Sequence, residues 1–241
     1  MRPFEMTPDS AFTAAVATPE RVTAFLRKVY GWMFVGLGVT AAVAFAVARS
    51  EKLTQAIFGN KWLFFGLIIA ELGLVFYLSA RVDKLAPQAA ALLLLVYSAL
   101  NGATLSFVLL VYTGASLATT FAVAGGMFGA LALFGTVTKR SLAGVGQFFF
   151  MGLIGLVLAS FVGIFWRTAG ESAGFQFVIS VIGVLVFTGL TAWDAQRLKV
   201  MAATVPEERF TSYAVVGALA LYLDFINLFL FLLRFLGGRR D

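Results

Sequence analysis

The chain has 241 residues, of which 61% are hydrophobic and only 12% charged. Soluble domains carry about a quarter charged residues, so a water-soluble globule is excluded and nearly all of the chain is expected to lie in a bilayer. The net charge of +6, with neither Cys nor His, excludes disulfides, thiol chemistry, the usual catalytic base and the commonest transition-metal ligand.

In chain order, the first 29 residues hold Pro3, Pro8 and Pro19 and mixed charge. Residues 1–18 read as a flexible tail, and Pro19–Val29 as an interfacial helix entering the first span. Crossing the hydrocarbon core takes ~20 apolar residues. Seven segments meet that length: Tyr30–Ala48, Trp62–Ala80, Pro87–Tyr112, Leu117–Val137, Val145–Trp166, Gly174–Trp193 and Tyr213–Leu233. The runs are continuous rather than alternating, which favours helices over membrane strands. Ala46-Val47-Ala48 has the form of a signal-peptidase site, but the apolar run before it is longer than a signal core, so a retained first helix is expected. Residues 19–241 therefore form a single seven-helix transmembrane domain of an all-α polytopic membrane protein. The longest polar connection, Asp194 to Ser212, can in part continue the sixth helix.

Basic residues set orientation. With the N-terminus inside, eleven Lys and Arg fall in inside segments, among them Arg27, Lys28, Arg81, Lys84, Lys139 and Arg140, against six outside. A cytoplasmic N-terminus is expected. These residues lie in short loops, where they act on topology and lipid headgroups, so no nucleic-acid partner is expected. Gly125, Gly126, Gly129 and Ala130 give small-xxx-small pairs in the fourth span, read as packing within the bundle rather than a dimer face; a monomer is favoured.

Three acidic residues fall at membrane depth or its edge: Glu71, Asp194 and Asp224. Asp at a bilayer centre costs roughly 2.5–3.5 kcal/mol on insertion scales. Asp224 is flanked by about ten largely apolar residues on each side, ~17 Å into its helix at ~1.5 Å per residue. In the N-inside topology Asp194, Asp224 and Arg81 can meet in the inner half of one bundle, and Glu71 can reach Arg234. Two carboxylates close together in a low-dielectric site cannot easily both ionise and can share a proton. An Arg beside one of them makes a clamp that protonation weakens, a pH latch without histidine. The plainer alternative is a set of static buried ion pairs fixing helix register. Asn101, with Ser98 and Thr104, Thr191, with Thr188, and Asn227 are intramembrane polar residues that either line a pathway or hydrogen-bond across helices. An intramembrane serine protease would want a Ser–His pair; two facing aspartates superficially suit an aspartyl protease, but the flanking sequence argues against it, and no enzymatic role is expected.

The segment Ala-Leu-Tyr-Leu-Asp-Phe-Ile-Asn-Leu-Phe-Leu at 220–230 resembles the signature of the Bax inhibitor-1 family. Phe25-Leu26-Arg27-Lys28-Val29-Tyr30, Asn101-Gly102 and Thr191-Ala192-Trp193-Asp194-Ala195-Gln196 are similar to further family segments. The resemblance implies seven helices with the last one central, and a pH-sensitive calcium leak whose sensor aspartates match Asp194 and Asp224. It also implies a latch arginine matching Arg81 and a secondary charge pair matching Glu71 and Arg234. Calcium takes about six to eight oxygen ligands, so Asp194 and Asp224 would offer a weak, transient site suited to conduction. Calcium is then cargo, no cofactor is expected, and calcium ions, protons and the bilayer are the partners. Family members also modulate a membrane-anchored protease or cell-death machinery. A regulatory protein that binds such a protease is therefore the alternative expectation. The short loops and the likeness to bacterial members imply a multi-pass protein of the bacterial cytoplasmic (inner) membrane.

Overall fold

The computed structural model describes residues 18–165 and 172–240. These form eight α-helices and one 3-10 turn: α1 Pro19–Ala48, α2 Glu51–Gly59, α3 Lys61–Arg81, α4 Pro87–Val111, α5 Gly114–Val137, α6 Ala143–Phe165, α7 Ala173–Thr204, the turn Glu207–Arg209, and α8 Phe210–Leu236. All except α2 contain a stretch long and apolar enough to cross a membrane. The seven expected spans are thus present. Residues 1–17 of the expected tail, and Trp166 at the end of the fifth expected span, lie outside the described residues.

The helix ends follow local chemistry. Thr18 caps α1, its side chain accepting from the Arg21 N–H, with Pro19 in the first turn, where its missing N–H costs nothing. The interfacial segment and the first span are therefore one continuous helix. Asn60 accepts from the N–H groups of Trp62 and Leu63 and starts α3. The short helix α2, started by Ser50, was not foreseen, because nine residues of mixed polarity between two spans read as a loop. α7 continues about three turns past the expected end at Trp193, so Asp194 lies inside a helix rather than at its terminus.

The described chain divides into two compact units. The first contains 18–114, 201–222 and 239–240. In it α1 presents Phe25, Val29, Met33, Gly36, Thr40, Ala44 and Val47 as one buried stripe, the three-and-four spacing of a helix face. α4 meets that stripe very closely. A Cβ placed on Gly102 would lie 2.6 Å from the Thr40 carbonyl oxygen, so only glycine lets the two backbones approach. Arg21 ties α1 to the end of α7: its Nε donates to the Ala202 carbonyl at 2.8 Å, another nitrogen donates to the Val205 carbonyl, and it pairs with Glu207 at 2.9 Å.

The second unit contains the described residues of Ala115–Val200 and Leu223–Gly238. α5 buries Thr120, Ala124, Phe128, Ala132 and Gly135. A Cβ on Gly135 would collide with the Ala192 carbonyl of α7, and one on Gly146 with the Trp193 ring. The expectation for the small residues of the fourth span is corrected here. Cβ atoms on Gly125, Gly126 and Gly129 would meet nothing within 4 Å, so these glycines are not where α5 packs. Their spacing was right for a close helix contact, but the stripe through Gly135, half a turn round, is the one used. α8 is the most buried of the spans: 67% of its apolar window is buried, against 6% for α3 and 11% for α6.

Candidate functional site

Asp224 and Asp194 are both buried, at 5% and 8% exposure, and their carboxyl groups lie beside each other. Two carboxyl groups this close in a low-dielectric site cannot easily both ionise and can share one proton. Both residues belong to the second unit, one from α8 and one from α7. Asp224 keeps one oxygen, Oδ2, with no hydrogen-bond partner among the described residues. Phe225, the next residue on α8, packs edge-on against Phe121 at 5.4 Å and Phe128 at 5.6 Å.

The cation at this pair is one that the sequence reading missed. Arg197, one turn along α7, places a terminal guanidinium nitrogen 3.2 Å from Asp194 Oδ1. Its guanidinium lies 5.0 Å from the centre of the Trp193 ring. The signal was present as Asp and Arg three residues apart on a helix, but it required α7 to extend past Trp193. Gln196 was missed for the same reason. It accepts from the Leu142 N–H at 2.7 Å and donates to the Arg140 carbonyl at 2.8 Å, fastening α7 to the connection between α5 and α6. Lys199 adds a bond to the Thr136 carbonyl at 2.7 Å.

The other expected site residues are placed as follows. Arg81 is exposed at the end of α3, its guanidinium 5.9 Å from the Tyr77 ring centre. Arg234 is exposed and lies over Phe231 at 5.8 Å. Thr191 donates to the Phe187 carbonyl and Asn227 to the Leu223 carbonyl, each one turn back on its own helix. Glu71 is part-buried in the first unit, where Asn101 Nδ2 donates to it at 3.1 Å and the Thr104 hydroxyl at 2.8 Å. The Asn101 amide is oriented in turn by the Tyr222 hydroxyl, which donates to its Oδ1 at 2.8 Å, and Thr40 Oγ1 lies 2.6 Å from that hydroxyl. Tyr222 and Thr40 were not singled out from the sequence, since a Tyr and a Thr inside apolar runs carry no cost that betrays a partner.

Among the described residues, one unit thus holds a carboxyl pair with a guanidinium beside it, and the other a carboxylate held by neutral donors. Among the described residues, no group of three or more His, Cys, Asp or Glu side chains is placed to hold a metal ion.

These features define a multi-pass α-helical membrane protein with ionisable groups sealed among its helices. The sequence matches the family described as inhibitor of apoptosis-promoting Bax1 over residues 22–241. It is 50% identical to the inner membrane protein YbhL of Escherichia coli, over 90% of this chain and 92% of that protein. It is 42% identical to an uncharacterized protein of Borreliella burgdorferi, over 90% and 93% of the two chains, and 38% identical to an uncharacterized membrane protein of Streptococcus pyogenes, again over 90% and 93%. The chain belongs to the Bax inhibitor-1 family, and with its seven apolar helices it is a multi-pass membrane protein.

Proposed function

We propose that this protein is a pH-sensitive leak for calcium, in which the Asp194–Asp224 pair is both the proton sensor and the transient cation site. The reading rests above all on that pair: two carboxyl groups side by side, both buried among membrane-spanning helices. Buried charge in a bilayer is costly, and a shared proton makes the pair's charge depend on pH. With the proton in place the pair offers little to a cation. Without it, two carboxylates supply hard oxygen ligands of the kind calcium takes. They fill only part of its coordination shell, which suits weak binding and rapid release. The absence of Cys and His favours hard cations over transition metals. Arg81 keeps the latch role, and Glu71 with Arg234 the secondary role, that family membership suggests. The role is non-enzymatic, needs no cofactor and is assigned to the monomer.

The test is calcium entry into proteoliposomes between about pH 5 and pH 8. Wild type is expected to leak with a rate that depends on pH, and Asp194→Asn and Asp224→Asn to lose that dependence. No leak above empty liposomes at any pH would sink the reading and turn attention to regulation of a membrane-bound protease.

A further inference from the structure

We propose that Arg197 is a tethered counter-cation that occupies the carboxyl pair and competes with the transported ion for it. The inference rests on the cation-leak reading of Asp194 and Asp224 and adds what sets their affinity for cargo.

The geometry is specific to α7. Arg197 is partly buried and sits one turn from Asp194, its guanidinium 3.2 Å from Oδ1. Its position is fixed on another side by the Trp193 ring at 5.0 Å, where a cation gains from the ring's negative face. Trp193 is itself held against Gly146 of α6, a position where a Cβ would strike the ring. The other charged side chains of this unit's described part are occupied elsewhere. Lys199 donates to the Thr136 carbonyl, Lys139 and Arg140 are exposed, and Arg234 lies over Phe231. Among the described residues of this unit, Arg197 is therefore the cation that faces Asp194.

Two carboxyl groups sharing one proton carry a single negative charge, and the guanidinium cancels it. The closed site is neutral, which a low-dielectric interior tolerates far better than net charge. A divalent cation entering the same site must displace the proton and overcome the guanidinium. Each further positive charge on the site weakens the next, so the resident arginine holds calcium affinity down. Arg197 differs from a latch that swings between helices: it belongs to the same helix as Asp194 and stays with it.

The experiment compares wild type, Arg197→Gln and Arg197→Lys as full-length protein in proteoliposomes, with calcium chloride as the only divalent salt. Two readouts are taken. One is the half-saturating calcium concentration for flux, and the other is the calcium-induced shift of the carboxylate stretching bands in the infrared, which needs no transport. Arg197→Gln is expected to lower the half-saturating concentration by about tenfold, within the usual range for coupling between two ligands of one site. Arg197→Lys, which keeps the charge, should remain close to wild type. Equal calcium dependence in wild type and Arg197→Gln overturns the inference, as does an infrared response absent from both. If no variant leaks but the infrared half-saturation still falls in Arg197→Gln, the leak reading fails and the counter-cation assignment stands. Should Arg197→Gln not fold, Trp193→Leu tests the same point: it keeps every charge and removes the ring that seats the guanidinium. It is expected to shift half-saturation in the same direction with smaller amplitude, and no shift in a folded Trp193→Leu would then count against the assignment.

Discussion

The hydroxyl of Tyr222 fixes the orientation of the Asn101 amide, and that amide in turn presents its N–H to Glu71. Tyr222→Phe keeps the ring, including its edge-on contact with Tyr97 at 5.6 Å, and removes only the hydrogen bond. It leaves a buried acceptor on Asn101 with one partner fewer. Interhelical hydrogen bonds in membranes contribute about 0.6 kcal/mol on average and up to about 1.7, so a loss of about 1 kcal/mol is expected in reversible unfolding from detergent. No measurable loss would mean that the amide is oriented by other contacts. Single residues also show how much of the two clusters was legible. Asp224 announced itself because a carboxylate in an apolar run has a cost that demands a reason. Asp194 followed from its place at the edge of an expected span, and the local motif then matched it. Arg197 did not, because a basic residue beyond an expected span reads as a topology signal. Tyr222 did not either, because it fits an apolar face as well as a polar network, and only the fold says which.

Element by element, the spans were readable from length and hydropathy because the bilayer sets one number for all of them. Their ends were less so. α7 has 32 residues, or ~48 Å at ~1.5 Å per residue, against a hydrocarbon core of ~30 Å. The excess is what carries Gln196, Arg197 and Lys199 within one helix. Which glycines matter was also invisible, since spacing alone cannot choose between two faces of one helix. The contrast gives a direct comparison. Gly102→Val would drive side-chain atoms into the Thr40 backbone, where overpacking costs about 1–3 kcal/mol or more. Gly126→Ala meets no neighbour and gains up to about 1 kcal/mol of helix propensity. Thermal unfolding in detergent should therefore fall for Gly102→Val and hold or rise for Gly126→Ala. A fall in both would mean that the open face of α5 is covered in the membrane.

At the scale of the whole molecule, the chain is a multi-pass membrane protein for which the bias of its basic loops predicts a cytoplasmic N-terminus. The lack of Cys makes this simple to examine. Single cysteines at Ser50 and at Asp83, read with a membrane-impermeant maleimide on intact cells, should give labelling at Ser50 and protection at Asp83. The opposite pattern would place the N-terminus outside. The seat of Arg197 has a further use in the intact protein. Indole emission responds to charge at its face, and the guanidinium lies 5.0 Å from the Trp193 ring centre. There are four tryptophans in all, Trp32, Trp62, Trp166 and Trp193. With the first three replaced by Phe, the colour of the remaining emission becomes an optical gauge of whether that charge is at home, readable in a working membrane without an added dye.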